Sequence, residues 1–119
     1  MNYIKEIMKW NETAGNKDNF NYFLESAMLA EENAETIIAM KSWDNIELID
    51  WVIDSFIVGI GSLYKKWFTE EQINRCFEEI IRSNNSKFLN GECQKIDGKI
   101  IKPKTFSPAN LEKALWDLV

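Results

Sequence analysis

Histidine is absent from this chain of 119 residues. That removes Ser-His-Asp and Cys-His nucleophile chemistry, His-ligated zinc and imidazole acid–base catalysis. Any enzyme built from it works with carboxylates, amines, hydroxyls and a hard metal. There are only two cysteines, Cys76 and Cys93. They are too few for a disulfide framework and too far apart for a zinc knuckle, so they read as reduced, idle thiols. Proline is missing before Pro103, so nothing of that kind breaks a helix in the first hundred residues. No long apolar run is present either. The longest, around Phe56 to Ile60, is far short of a membrane span, and the charged Met1–Asn11 segment lacks a signal-peptide core. The expectation is a soluble, cytoplasmic protein with no membrane partner. Basic charge is also in deficit: 14 basic against 19 acidic residues give a net charge of -5. A polyanion-binding protein normally shows the opposite balance, which argues against a nucleic-acid polymer as partner.

What remains is ordinary globular composition, 45% hydrophobic and 28% charged, enough for one domain spanning residues 1–119. A short amphipathic segment, Tyr3 to Trp10, leads into a polar joint at Asn11–Asn19. From Phe20 to Lys41, Phe23, Leu24, Ala27, Met28, Ala30, Ala34, Ile37 and Ile38 recur at helical spacing. Asp44 with Glu47 has the form of a capping box and opens a helix expected to reach Trp67. Thr69 with Gln72 repeats the signal for a helix to about Arg82. Beyond Ser83, turn formers take over. Asp97-Gly98 between Gln94–Ile96 and Lys99–Ile101 is a two-residue hairpin signal, and Ser107-Pro108 predicts a last short helix from Ala109 to about Leu118.

The carboxylates do not suit a plain core. Glu47, Asp50 and Asp54 fall within about 60° of one another on a helix otherwise apolar on nearly every side. An isolated carboxylate there costs several kcal/mol unless neutralised or paired, and no lysine or arginine stands within a turn or two of Asp50 or Asp54. The preceding helix brings Glu31, Glu32 and Glu35 within about 100° of arc, with Glu25 two turns earlier. The short connection makes the two helices antiparallel neighbours. Facing acidic stripes repel in an empty site, and a hard divalent ion converts that repulsion into coordination. Oxygen-only ligands select Mg²⁺, with Mn²⁺ as substitute, over zinc.

Glu31-Glu32-Asn-Ala-Glu35 followed by Glu47-x-x-Asp50 resembles the EExxE … ExxD signature of the all-α nucleoside triphosphate pyrophosphohydrolases, the MazG-like superfamily. The later run Arg82-Ser-Asn84-Asn-Ser-Lys87, Asp97-Gly-Lys99, Lys102-Pro103 and Phe106-Ser-Pro-Ala-Asn-Leu111 is similar to the phage and prophage branch of its phosphoribosyl-ATP pyrophosphohydrolase-like members. The likeness covers roughly residues 20 to 115. It implies an all-α antiparallel helix bundle of the MazG-like type, carrying a non-helical C-terminal arm. One departure stands out. The family's last aspartate precedes an apolar run and follows a glutamate by three residues. Here the aspartate in that context is Asp54, and Trp51 holds the place of the glutamate. Either Asp50 replaces the missing glutamate or the site has slid by one turn; Asp50 and Asp54 are expected as the innermost pair with Glu47 at the outer edge, and which of the three touch metal stays open.

The resemblance implies a Mg²⁺-dependent hydrolase that cleaves a nucleotide substrate, an NTP or dNTP, to its monophosphate and pyrophosphate in control of nucleotide pools. Glu32, Glu35, Glu47, Asp50 and Asp54 become metal ligands, and Glu31 or Glu35 the acceptor of the attacking water's proton. Asn84, Lys87, Lys102 and Lys104 are candidates for the phosphates. Phe20, Tyr22, Phe23, Trp43 and Trp51 are candidates for the base. The contrary expectation is a catalytically silent helical interaction module of the same fold, favoured by the displaced Glu-x-x-Asp. Five tryptophans and fifteen isoleucines exceed what so small an interior holds, so a homo-oligomer, a dimer or a tetramer, is expected.

Overall fold

The computed structural model describes residues 1–116. It is mostly helical, in the order α1 (Tyr3–Thr13), α2 (Tyr22–Ser42), α3 (Asn45–Lys65), α4 (Glu70–Asn85), β1 (Gln94–Ile96), β2 (Lys99–Ile101) and α5 (Leu111–Trp116). The end of the final helix, expected to reach Leu118, falls outside the described residues. The chain divides into two compact units, Met1–Glu70 and Glu71–Val119. No helix among the described residues is long and apolar enough to cross a membrane.

The first unit is an α2–α3 pair with α1 packed on α3. Each helix opens on a side chain that accepts backbone N–H groups left unpaired by the first turn. Asn2 accepts from Lys5, Asn21 from Phe23 and Leu24, and Asp44 from Glu47. α2 ends at Trp43 in the left-handed region, φ 57°, and α3 begins two residues later, so the pair is a tight antiparallel hairpin. Asn11 is buried and donates from Nδ2 to the Ile7 carbonyl at 2.9 Å, while its Oδ1 accepts from Asn16 at 2.9 Å. Gly61 of α3 lies against this amide: a Cβ there would stand 3.3 Å from Asn11 Oδ1. Glycine lets α1 and α3 approach this closely.

The apolar stripe expected on α2 does not form its core. Phe23, Leu24, Ala27, Ala30, Ala34, Ile37 and Ile38 are exposed, and Met28 is half-buried. The side turned to α3 carries Glu25, Met28, Glu32, Glu35, Thr36 and Ala39. α3 behaves alike. Glu47, Trp51, Asp54, Ser55 and Val58 are half-buried, whereas Ile46, Ile49, Val52, Ile53, Phe56 and Ile57 are open. The interior of the pair is therefore largely polar. Its fixed point is a buried ion pair in which Lys65 Nζ donates to both Glu25 oxygens at 3.1 Å and Ser62 adds a hydroxyl donor at 2.8 Å.

In the second unit, α4 holds the returning chain. Glu79 accepts from Arg82 at 2.7 and 2.9 Å and from the Asn110 backbone at 3.0 Å, and Arg82 also donates to the Pro108 carbonyl at 3.2 Å. Asn110 caps α5 by accepting from Lys113. The expected cap, Ser107, lies before the helix, and its backbone N–H donates to Ser86 Oγ at 2.8 Å. The hairpin pairs Gln94 with Ile101 and Ile96 with Lys99 across Asp97 (φ 51°) and Gly98 (φ 79°), both left-handed as a type I′ turn requires. Asn90-Gly91 repeats that geometry in a small Leu89–Glu92 bridge.

Candidate functional site

The two acidic stripes meet across the α2–α3 pair. Burial, then the charges of Glu35, Asp54, Glu31 and Asp50 in that order, hold the Glu32 carboxyl above its ordinary range. Four carboxylates from two helices thus act on one, and Asp54 acts more strongly than Asp50. Asp54 is half-buried on the face toward α2, and Asp50 is exposed. Glu47, also half-buried, is not among the groups that act on Glu32 and lies at the outer end of the stripe. Among the described residues, the buried side-chain oxygens without a hydrogen-bond partner are Glu32 Oε2 and Ser55 Oγ, both on the inner faces of this pair. A buried carboxylate oxygen without a donor calls for a proton or a cation.

The donor set, carboxylate oxygens alone, suits a hard divalent ion. The side chains themselves are not drawn together: among the described residues no group of three or more acidic or thiol side chains is gathered closely enough to hold a metal. The helices supply the charge and the facing. Closure onto an ion requires rotation of side chains that repel one another without it.

Glu25 does not belong to this cluster. It lies two turns before Glu32 and is neutralised by Lys65, a partner forty residues away that no spacing within one helix reveals. Of the candidate aromatics, Trp51 is half-buried one turn before Asp54 on the same face of α3. Phe20 instead lies under Lys66, 4.2 Å from its ring centroid, and Tyr22 and Phe23 meet edge to face in the open. Trp43 is exposed at the tip of the helix hairpin. Lys17, assigned no role by the sequence, sits over the rings of Tyr64 and Trp67, and the Trp67 indole N–H donates to Asp18.

Within the second unit, Lys87 and Lys102 line one cavity of about 300 Å³ with Leu89, Glu92, Cys93, Gln94, Ile101 and Pro103. Asn84 and Lys104 do not line it. Lys102 also lies 4.9 Å from the Phe106 ring centroid. Both cysteines are free thiols.

No family model matches the chain, and neither a curated protein nor a solved structure matches it. The functional reading rests on the residues themselves.

Proposed function

We propose that the chain is a Mg²⁺-dependent nucleotide pyrophosphohydrolase that cleaves NTPs or dNTPs between the α and β phosphates. The observation that carries this reading is Glu32: a carboxyl with one buried, unpartnered oxygen, held above its ordinary range by burial first and then by four carboxylates from two helices. Such an arrangement is costly without a cation and suited to one. Glu32, Glu35 and Asp54 would hold Mg²⁺ or Mn²⁺, with Asp50 and Glu47 at the outer end. Bound there, the ion supplies charge neutralisation for the phosphates and lowers the pKa of the attacking water. Glu35, half-buried, or Glu31, exposed, accepts the proton as water adds to the α phosphorus and the bond to the β phosphate's bridging oxygen breaks. The products are a nucleoside monophosphate and pyrophosphate. Trp51 is the aromatic best situated for the base. Within the second unit, Lys87 and Lys102 share a cavity and could hold an anion there, whereas Asn84 and Lys104 do not line it. The working unit is a homo-oligomer, a dimer or a tetramer.

The second reading, a silent helical interaction module of the same MazG-like bundle, draws on the carboxylates that do not converge. Product analysis separates the two. Incubated with a panel of NTPs and dNTPs, the full chain should release monophosphate and pyrophosphate in equal amounts with Mg²⁺ and none with chelator. No product from any nucleotide overturns the hydrolase and leaves the module.

A further inference from the structure

The interior of the α2–α3 pair repeats at seven-residue intervals. Seven residues fall about 20° short of two full turns, so positions seven apart stand on one face of a helix. On α2 that series is Glu25, Glu32 and Ala39, the first and last buried and Glu32 half-buried. α3 runs antiparallel and is read backwards. Ser62, Ser55 and Leu48 form one series there, and Lys65, Val58 and Trp51 the next, with Lys65 buried and the others half-buried. The bond from Ser62 to Glu25, 2.8 Å, fixes the register. Seven residues on, the same register sets Ser55 opposite Glu32 and puts Val58 in the place that Lys65 holds beside Glu25. Asp54, next to Ser55, is among the charges that act on Glu32, as this alignment requires. The two layers thus share a glutamate and a serine and differ by an ammonium. Their hydrogen bonding differs accordingly. Glu25 accepts from Ser62 and twice from Lys65, whereas Glu32 Oε2 and Ser55 Oγ are the buried, unpartnered side-chain oxygens of the described residues.

We propose that Ser55 is the positioning residue of the Glu32 carboxylate, as Ser62 is of Glu25, and that Val58 leaves to a cation from solution the place that the Lys65 ammonium fills. That the cation is divalent rests on the hydrolase reading above; the register does not. A hydroxyl has one hydrogen to donate and no charge, so it steadies a carboxylate without neutralising it. Beside Glu25 the ammonium does the neutralising. Lys65 binds both oxygens and holds the carboxylate within reach of Ser62. Beside Glu32 no such group draws the carboxylate toward Ser55, and each is left with an unpaired oxygen. A cation there satisfies both at once: it binds the carboxylate and brings it under the hydroxyl. Valine neither competes for that cation nor replaces it. The next layer, Ala39 with Leu48 and Trp51, is apolar. The open place therefore lies between a closed ion pair on one side and an apolar layer on the other.

Thermal melts of the full chain at neutral pH in chelator test this, with Val58→Met as the uncharged baseline for Val58→Lys. The lysine variant should melt above the methionine one by about 4 °C or more. That gain should fall by at least half when Glu32→Gln is added. It should fall likewise with Ser55→Ala and return with Ser55→Thr, which restores a hydroxyl. No gain, or a gain indifferent to Glu32→Gln, overturns the shared register. A gain indifferent to Ser55→Ala overturns the role of Ser55, because a serine that only fills space shifts every background alike. If Val58→Lys does not fold, with or without Val58→Met, the equivalence with Lys65 is refuted, since the place then does not admit what Lys65 is. Mn²⁺ titrated into Val58→Lys should bind at least tenfold more weakly than to wild type, and equal affinity contradicts the exchange of one cation for the other. A wild-type chain that binds no Mn²⁺ removes the hydrolase reading and leaves the melts, run without metal, to decide this one.

Discussion

Two glycines on α3 report how closely side chains are packed there. A Cβ on Gly59 meets nothing within 4 Å, whereas one on Gly61 presses on an Asn11 amide that two hydrogen bonds hold in place. Gly59→Ala should therefore stabilise the chain by about 0.5–1 kcal/mol through helix propensity. Gly61→Ala should lose about 1 kcal/mol net, since overpacking outweighs the same propensity gain. Denaturant midpoints of the two variants check this, and equal shifts would show that Asn11 yields. Titration gives a second test at this scale. The Glu32 carboxyl is raised from 4.5, so the folded state holds its proton more tightly than the unfolded one. Its contribution is fully present below pH 4.5 and is lost as pH rises through the raised value. Glu79, lowered to about 2 by Arg82 and the Asn110 N–H, works in the opposite sense, contributing above 4.5 and losing that as pH falls toward 2. In chelator, Glu32→Gln should melt above wild type near neutrality and converge with it below pH 4.5. Parallel melting curves would place Glu32 outside the cluster's field.

At the scale of elements, the antiparallel α2–α3 hairpin is locked by Glu25 and Lys65, both buried and joined by Ser62. Lys65→Ala strands a carboxylate in the interior and should cost about 3 kcal/mol, whereas Glu25→Leu with Lys65→Met together should be close to neutral. Chemical denaturation of the three proteins decides, and a mild Lys65→Ala would show that water reaches Glu25. Local chemistry made much of the fold legible beforehand. The Asp44 cap, the Asp97-Gly98 turn and the acidic arcs on both helices follow from neighbours within a few residues. Three features did not. Ser107 and Asn110 are both good caps, and the choice of Asn110 comes with the Glu79 bond to its backbone from α4, 31 residues away. The Glu25–Lys65 pair depends on the register of two helices. The facing of α2 was ambiguous because its apolar residues outnumber what one side holds, so periodicity alone did not say that Ile37 and Ile38 point away from α3.

For the whole molecule, the outward apolar side of α3 and the half-buried Asp54 that it turns toward Glu32 of α2 are two consequences of one orientation. The first is surface for the proposed homo-oligomer to bury, and the second belongs to the proposed cation site. Candidate ligands were legible as stripes, with Glu47 at the outer edge; what the sequence did not order is the rest, where Glu35 and Asp54 come before Glu31 and Asp50 among the charges that raise Glu32. Because these carboxylates repel one another without a cation, Asp54→Ala and Glu35→Ala should each leave the metal-free melting temperature unchanged or higher while abolishing hydrolysis. The most direct measurement is isothermal titration of Mg²⁺, and of Mn²⁺, into the wild-type chain and these two variants. The account predicts saturable binding to wild type that both substitutions remove. No binding to wild type, or binding that survives in both variants, would contradict it.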